Sequence, residues 1–266
     1  MYASPNPKVS IIMPAYNAKA TIESSISSVL AQTLQDWELI VVDDCSTDTT
    51  AAIADSFAAQ DPRIRLYKNP HNKGVAGTRN KALSHAKGRW IAFLDSDDLW
   101  RNDKLEQQLP FAEESGAKIT YTGTAFMDPA GNMFSYYQPA VPLFSYKALR
   151  RQNIMSCSSV MVRRDVMAPF PQGFMHEDYA LWLQLLRKIG PAHGLNEPLL
   201  IYRVQKQSVS SNRLRSARMV FYTYRHTGYS PAIAAMLTLR YAIHSISKRA
   251  KLKFSRRFSG IPPRSR

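Results

Sequence analysis

Acidic residues punctuate the chain directly after its apolar runs. Asp43 and Asp44 follow Ile40-Val41-Val42, Asp95, Asp97 and Asp98 follow Ile91-Ala92-Phe93-Leu94, and Glu177-Asp178 precede a helical pattern. Carboxylates gathered at the ends of buried segments are costly unless a cation or hydrogen-bond donors meet them. An isolated acid at such a junction reads equally well as a helix cap. The turn Asp95-Ser96-Asp97-Asp98 goes further, because alternate carboxylates present hard oxygens to Mg²⁺ or Mn²⁺ while substrate phosphates complete the shell. A phosphate-bearing ligand is the expectation.

The elements that must position these acids alternate. Residues 9–13 form a short apolar, β-branched run stopped by Pro14, and residues 37–42 and 89–94 are similar. Residues 63–68 supply a further short strand. Between them, helical spacing falls over 20–30, with Ile22, Ile26, Val29 and Leu30 on one face and Thr21 as cap, and again over 49–60 and 77–86. Such alternation predicts an α/β fold with a parallel sheet covered by helices on both faces, binding ligands at the carboxyl ends of its strands. Further strands are predicted over 119–126 and 156–162, and a helix over 178–189. Two helices separated at Gly228 and Pro231 account for residues 214–258, and the closing GIPPRSR reads as a disordered end.

The net charge of +15 is unevenly placed. All 20 acidic residues and 20 of the 35 Lys and Arg precede Pro198, so a neutral body is followed by fifteen cations with no acid. A hydrophobic share of 45% excludes a wholly disordered chain. Two distant cysteines, Cys45 and Cys157, give neither a disulfide framework nor a zinc ribbon, which points to a reducing compartment. The opening MYASPNPKVS lacks a basic and an apolar signal region, so the expected location is cytoplasmic. The apolar stretch at 232–239 is far short of the ~20 residues that span a bilayer. Cations interleaved with Phe221, Tyr222, Tyr224, Tyr229, Tyr241 and Phe254 suit an anionic bilayer or a nucleic acid.

Five segments carry a more specific likeness. VSIIMPAYN at 9–17, VVDDCSTDTT at 41–50, NKGVAGTRNKAL at 72–83, FLDSDD at 93–98 and HEDY at 176–179 together resemble the family 2 glycosyltransferases of GT-A fold, over roughly residues 8–205. The resemblance implies a Rossmann-like, mixed but mostly parallel sheet and an inverting transfer from a nucleotide-diphosphate sugar. Pro14, Tyr16 and Asn17 match the loop around the nucleoside, with Tyr16 offering a ring face. Asp43 matches the acid that accepts the uracil imide N–H, whereas Asp48 reads as a capping residue. Arg79 matches a cation near the diphosphate. Asp95 and Asp97 are the acids of the DxD motif, with Asp97 the direct ligand of Mn²⁺ or Mg²⁺, Asp95 and Ser96 on the ribose or donor sugar, and Asp98 supporting the metal. Asp178 matches the catalytic base, Glu177 would orient the acceptor or the loop, and Arg203 with Lys206 would close over the diphosphate. Trp182 reads as core.

By the same resemblance, residues 8–207 form the catalytic domain, 208–258 a basic helical extension and 259–266 a disordered tail. The partners implied are a UDP-sugar donor, a saccharide or lipid-linked acceptor of the cell envelope, and an anionic membrane surface at whose inner face the protein is peripheral. A nucleic acid is disfavoured because the acidic cleft would repel it, and a homo-oligomer stays open. The competing classes are a non-catalytic sugar-nucleotide or glycan-binding protein on the same fold, which should lose Asp97 or Asp178, and a nucleic-acid binder acting through the tail.

Overall fold

A computed structural model describes residues 6–205 and 213–255. Lys206 and the closing segment 259–266 lie outside the described residues. In chain order the elements are β1 (Val9–Ala15), α1 (Ile22–Leu30), β2 (Trp37–Asp43), α2 (Thr50–Gln60), β3 (Ile64–Lys68), α3 (Gly74–Ser84) and β4 (Trp90–Phe93). They are followed by β5 (Leu99–Trp100), α4 (Lys104–Glu114), β6 (Ile119–Met127), β7 (Met133–Gln138), β8 (Leu143–Phe144), α5 (Tyr146–Leu149) and β9 (Val160–Arg163). The last are α6 (Glu177–Ile189), β10 (Ala192–Arg203), α7 (Arg213–His226) and α8 (Pro231–Ser255).

One sheet runs β3-β2-β1-β4-β9-β6-β10-β5, with β7 on β6 and β8 on β10. The first four strands are mutually parallel, as are β6 and β10, while β9 runs antiparallel to both β4 and β6. Alternate residues of β1 serve opposite faces. Ile12 joins Ile40, Phe93 and, from the helices, Ala82 and Leu181, whereas Val9, Ile11 and Met13 join Ile22, Ile26 and Val29 of α1. Burial on both faces is why these strands read as unbroken apolar runs.

Several expectations shift. Helix α3 begins at Gly74, a turn earlier than residue 77, because Asn72 Oδ1 accepts the Gly74 N–H (3.1 Å) and Asp44 Oδ1 the Lys73 N–H (2.8 Å). Thr21 stands at the cap position of α1, but its hydroxyl donates back to the Ala18 carbonyl (3.4 Å) and caps nothing. The segment predicted as a strand over 156–162 opens as a 3₁₀ turn at Cys157–Ser159 and only then extends. Six elements of the structure, β5, α4, β7, β8, α5 and β10, have no counterpart in the sequence reading.

The break at Gly228 and Pro231 falls between α7 and α8 as expected. Both helices also enter the core, since Val220, Tyr224, Ala234 and Leu237 are buried in the cluster that holds Phe93 and Trp182. Tyr224 lies within 2.9 Å of the Tyr179 hydroxyl and donates to the Arg150 carbonyl (2.7 Å). The basic extension is therefore seated on the sheet domain before it can do anything else.

Candidate active site

The carboxyl ends of β1, β2 and β4 open on one side, and the loops there carry the acids. Asp43 ends β2, is 3% exposed, and accepts the Ser46 N–H at Oδ2 (3.1 Å). Its Oδ1 is buried without a hydrogen-bond partner among the described residues. A buried carboxylate oxygen without a donor is costly, so it is a place for a ligand N–H. Asn17, in the left-handed region at φ 47°, receives the Thr47 N–H on Oδ1 (2.9 Å) and donates its own N–H to Ser46 Oγ (3.0 Å). It thus laces the loop after β1 to the loop after β2, while Pro14 pairs opposite Val42 and Tyr16 stays 51% exposed. Asp44 is spent on Asn69 and Lys73, and Asp48 on the Thr50 N–H (2.9 Å) at the start of α2.

Beyond β4, the Asp95 N–H donates to Ser158 Oγ (3.0 Å), whose hydroxyl donates to Asp98 Oδ2 (2.7 Å). Asp98 Oδ1 accepts the Arg203 N–H (3.0 Å), so both oxygens of this buried acid meet protein donors. The Arg203 guanidinium donates through Nε to the Asp97 carbonyl (3.0 Å) and reaches Ser24 Oγ (3.4 Å). In this arrangement Asp98 and Arg203 clamp the turn, leaving Ser96 and the Asp97 carboxylate partly open to the cleft. Ser158 was not singled out from the sequence. Its signal was the run Cys157-Ser158-Ser159, small polar groups in a segment otherwise apolar.

Arg79 joins the two halves of the site. Its Nη2 donates to Asp95 Oδ1 (2.6 Å) and its Nη1 to Glu177 Oε1 (2.7 Å), with the guanidinium 5.2 Å from the Phe170 ring centre. Arg79 is 3% exposed, and its Nε has no partner among the described residues. Burial works against its charge, but Asp95 and Glu177 outweigh that and keep it protonated. Glu177 and Asp178 open α6, whose seat is fixed from behind: the His176 N–H donates to Thr223 Oγ1 of α7 (3.2 Å). Trp182, fully buried between Phe93 and Phe170, belongs to the core.

Crowding sets the acidities. Burial, then the charge of Asp95, pushes Asp97 up to about 6, and burial with Asp97 and Asp95 beside it pushes Asp98 well above the ordinary carboxylate range. Burial and the neighbouring Glu177 push Asp178 up to about 7, partly offset by Arg79. A divalent cation fits this set of oxygens, since mutually repelling hard ligands gain most from a cation beside them. Among the described residues no group of three or more His, Cys, Asp or Glu forms an all-protein cage. A separate cavity of about 580 Å³ lies at the opposite end of the strands, lined by Lys8, Lys87, Arg89, Arg163, Arg164 and Asp165, away from this chemistry.

This fold and site define a GT-A glycosyltransferase. The Staphylococcus aureus TarS structure in complex with UDP-GlcNAc superposes with a TM-score of 0.69 at 20% identity, covering 87% of this chain and 70% of that one. A mannosyltransferase from Pyrobaculum calidifontis, PcManGT, in complex with GDP-Man and Mn²⁺, matches with a TM-score of 0.62 at 19% identity, over 98% and 83% of the two chains. At these identities the likeness is one of fold.

The chain belongs to glycosyl transferase family 2, whose family model matches residues 10–167. It is 37% identical over 245 residues, 91% of this chain and 95% of the other, to the Escherichia coli UDP-Glc:alpha-D-GlcNAc-diphosphoundecaprenol beta-1,3-glucosyltransferase WfgD. It is 38% identical over 246 residues to Bacillus subtilis TuaG, named for teichuronic acid biosynthesis, covering 91% of this chain and 98% of that one.

Proposed function

We propose that this enzyme transfers a sugar, with inversion, from a UDP-sugar to a hydroxyl of a saccharide or lipid-linked acceptor of the cell envelope. The observation that carries the reading is the Arg79 bridge, which draws Asp95 of the acidic turn and Glu177 beside Asp178 into one cleft from segments 82 residues apart in sequence. Relatives that act on a UDP-linked glucose and a diphospholipid acceptor support the choice of donor and acceptor.

Each residue then has a role. The buried Oδ1 of Asp43 receives the uracil imide N–H, Tyr16 stacks on the base, and Asn17 with Pro14 holds the loop that carries it. Asp95 and Ser96 meet the ribose or the donor sugar. Asp97 would hold Mn²⁺ or Mg²⁺, and Asp98 and Arg203 fix the turn that presents it. A divalent cation held by Asp97 would supply Lewis acidity towards the charge building on the leaving phosphate. Asp178 takes the proton of the acceptor hydroxyl as it attacks the face of the sugar opposite the leaving group. A basicity near 7 suits that task, because about half of the carboxylate is ionised at neutral pH and it is basic enough to accept the proton. Arg79, held between the acids, lies where its charge can pass to the diphosphate when the donor enters.

Calorimetric titration with UDP and with GDP, each with Mn²⁺ and again with EDTA, tests the reading. Manganese-dependent UDP binding is expected. Absence of binding to either nucleotide would overturn it.

A further inference from the structure

Along α8, Ile233, Met236, Leu239 and Ile243 recur at intervals of three, three and four residues and so share one helical face. All four are exposed, Met236 to 62% and Leu239 to 66%. The opposite side of the helix is the one that packs, with Ala234 and Leu237 buried in the core and Tyr241 against it. Firmly seated along one side, α8 thus presents a row of aliphatic side chains outward along the other. Rows of this kind mark membrane or protein interfaces.

Charge selects the occupant. Arg240 flanks the row, and residues 198–266 hold fifteen Lys and Arg against no acid. A second copy of the chain would bring an equally cationic segment to the same face, so self-association there works against like-charge repulsion. An anionic bilayer supplies both complements, acyl chains for the row and headgroup charge for the cations. No helix among the described residues is long and apolar enough to cross a membrane, which leaves lying in the interface as the mode of contact.

We propose that the face of α8 bearing Ile233, Met236, Leu239 and Ile243 inserts among the lipids of an anionic membrane, with Arg240 beside it on the headgroups. The proposal rests on the reading of a membrane-borne acceptor and adds the surface through which the enzyme reaches it. The insertion is hydrophobic, so binding has a part that salt does not remove.

The test is flotation of the full chain with vesicles of phosphatidylcholine alone or with phosphatidylglycerol added, at low and high salt, beside the double variant Met236→Asp/Leu239→Asp. Wild type should float with the anionic vesicles only, and retain part of that binding at high salt. The double variant should bind about tenfold or more weakly and lose the salt-resistant part. Leu239→Gln, a milder change at an exposed position, should move binding the same way with an unchanged thermal transition. Transfer to a water-soluble acceptor should be equal in wild type and variants. If flotation behaves as stated while neither protein transfers sugar, the functional reading fails and the membrane face stands. A double variant that floats like wild type overturns the proposal. So does a wild type that ignores vesicles and instead forms a dimer, by light scattering, that the double variant dissolves.

Discussion

Replacing Asp178 by Asn should separate catalysis from stability in opposite directions. The Asp178 carboxyl is held at about 7 against an ordinary 3.8, so its ionised form is disfavoured in the folded protein by about 4 kcal/mol at most. Its folded value is raised, so the folded state holds the proton more tightly. Stability is then greatest below the unfolded value and is lost progressively as pH rises through about 7. Asp178 is only half-buried, which reduces the penalty at pH 8 to roughly 2 kcal/mol. Asparagine keeps the shape and sheds the charge. Asp178→Asn should therefore raise the thermal midpoint at pH 8 by about 4–8 °C and add little at pH 4. Transfer should fall by ~100-fold or more, with manganese-dependent UDP binding retained. In the wild type, kcat should climb with pH and level off above about 7, standing near a tenth of its plateau one pH unit below. Donor-saturated transfer from pH 5.5 to 8.5 and thermal unfolding at both ends supply the readouts, with those pH limits set at roughly 1.5 either side of the titration. An Asn variant with wild-type turnover would refute the base, and one both inactive and less stable would make Asp178 a packing residue instead.

Three further outcomes follow from the geometry. Asp97→Ala should abolish the Mn²⁺ dependence of UDP binding, measured calorimetrically, while Asp98→Ala, which removes the acceptor of both the Ser158 hydroxyl and the Arg203 N–H, should lower the thermal midpoint as well. Lys104 is fully buried, with Nζ on Gln108 Oε1 (2.6 Å) and over the Trp100 ring, and burial pushes it down to about 7 from 10.5. The folded state thus binds this proton less tightly than the unfolded chain, and stability falls as pH drops from 10.5 to about 7. Lys104→Met should stabilise by about 2 kcal/mol near pH 6, after allowing for the unpaired Gln108 oxygen, and the gain should shrink towards pH 10 in denaturant titrations. Ending the chain after Gln205 strips Val220, Tyr224 and Leu237 from the core, a loss of roughly 5 kcal/mol or more. The product should aggregate on size exclusion, and a monodisperse, cooperatively unfolding product would contradict the packing.

The first hundred residues announced their structure because buried parallel strands and amphipathic helices alternate there with little interruption. Later elements were masked by the residues that shape them. Helix α4 contains Pro110, and the twelve-residue β10 carries Gly194 and Pro198 with register shifts on either side of Pro198, features that read as breaks when pairing is unseen. The acids of the site were legible because charge directly after an apolar run is conspicuous. Which of them face the cleft was not. Asp98 follows Asp97 immediately, yet its oxygens are taken by Ser158 and Arg203, partners 60 and 105 residues away. Arg79 announced a cation near the diphosphate, but a bridge to both Asp95 and Glu177 depends on a meeting of three segments that no local pattern encodes.

The seating of α7 bears on how enzymes of this kind can be recombined. Thr223 holds the backbone ahead of Glu177 and Asp178, and Tyr224 is wedged against Tyr179 and the end of α5. A chimaera joined ahead of Arg213 would exchange the support of Asp178 along with the outer surface, and each parent's α6 would meet a stranger's hydroxyl. A junction after Tyr241 would leave that support native and trade only what lies beyond it. The usable crossover point for grafting one relative's carboxyl-terminal segment onto another therefore lies within α8, a full helix later than the end of the sheet.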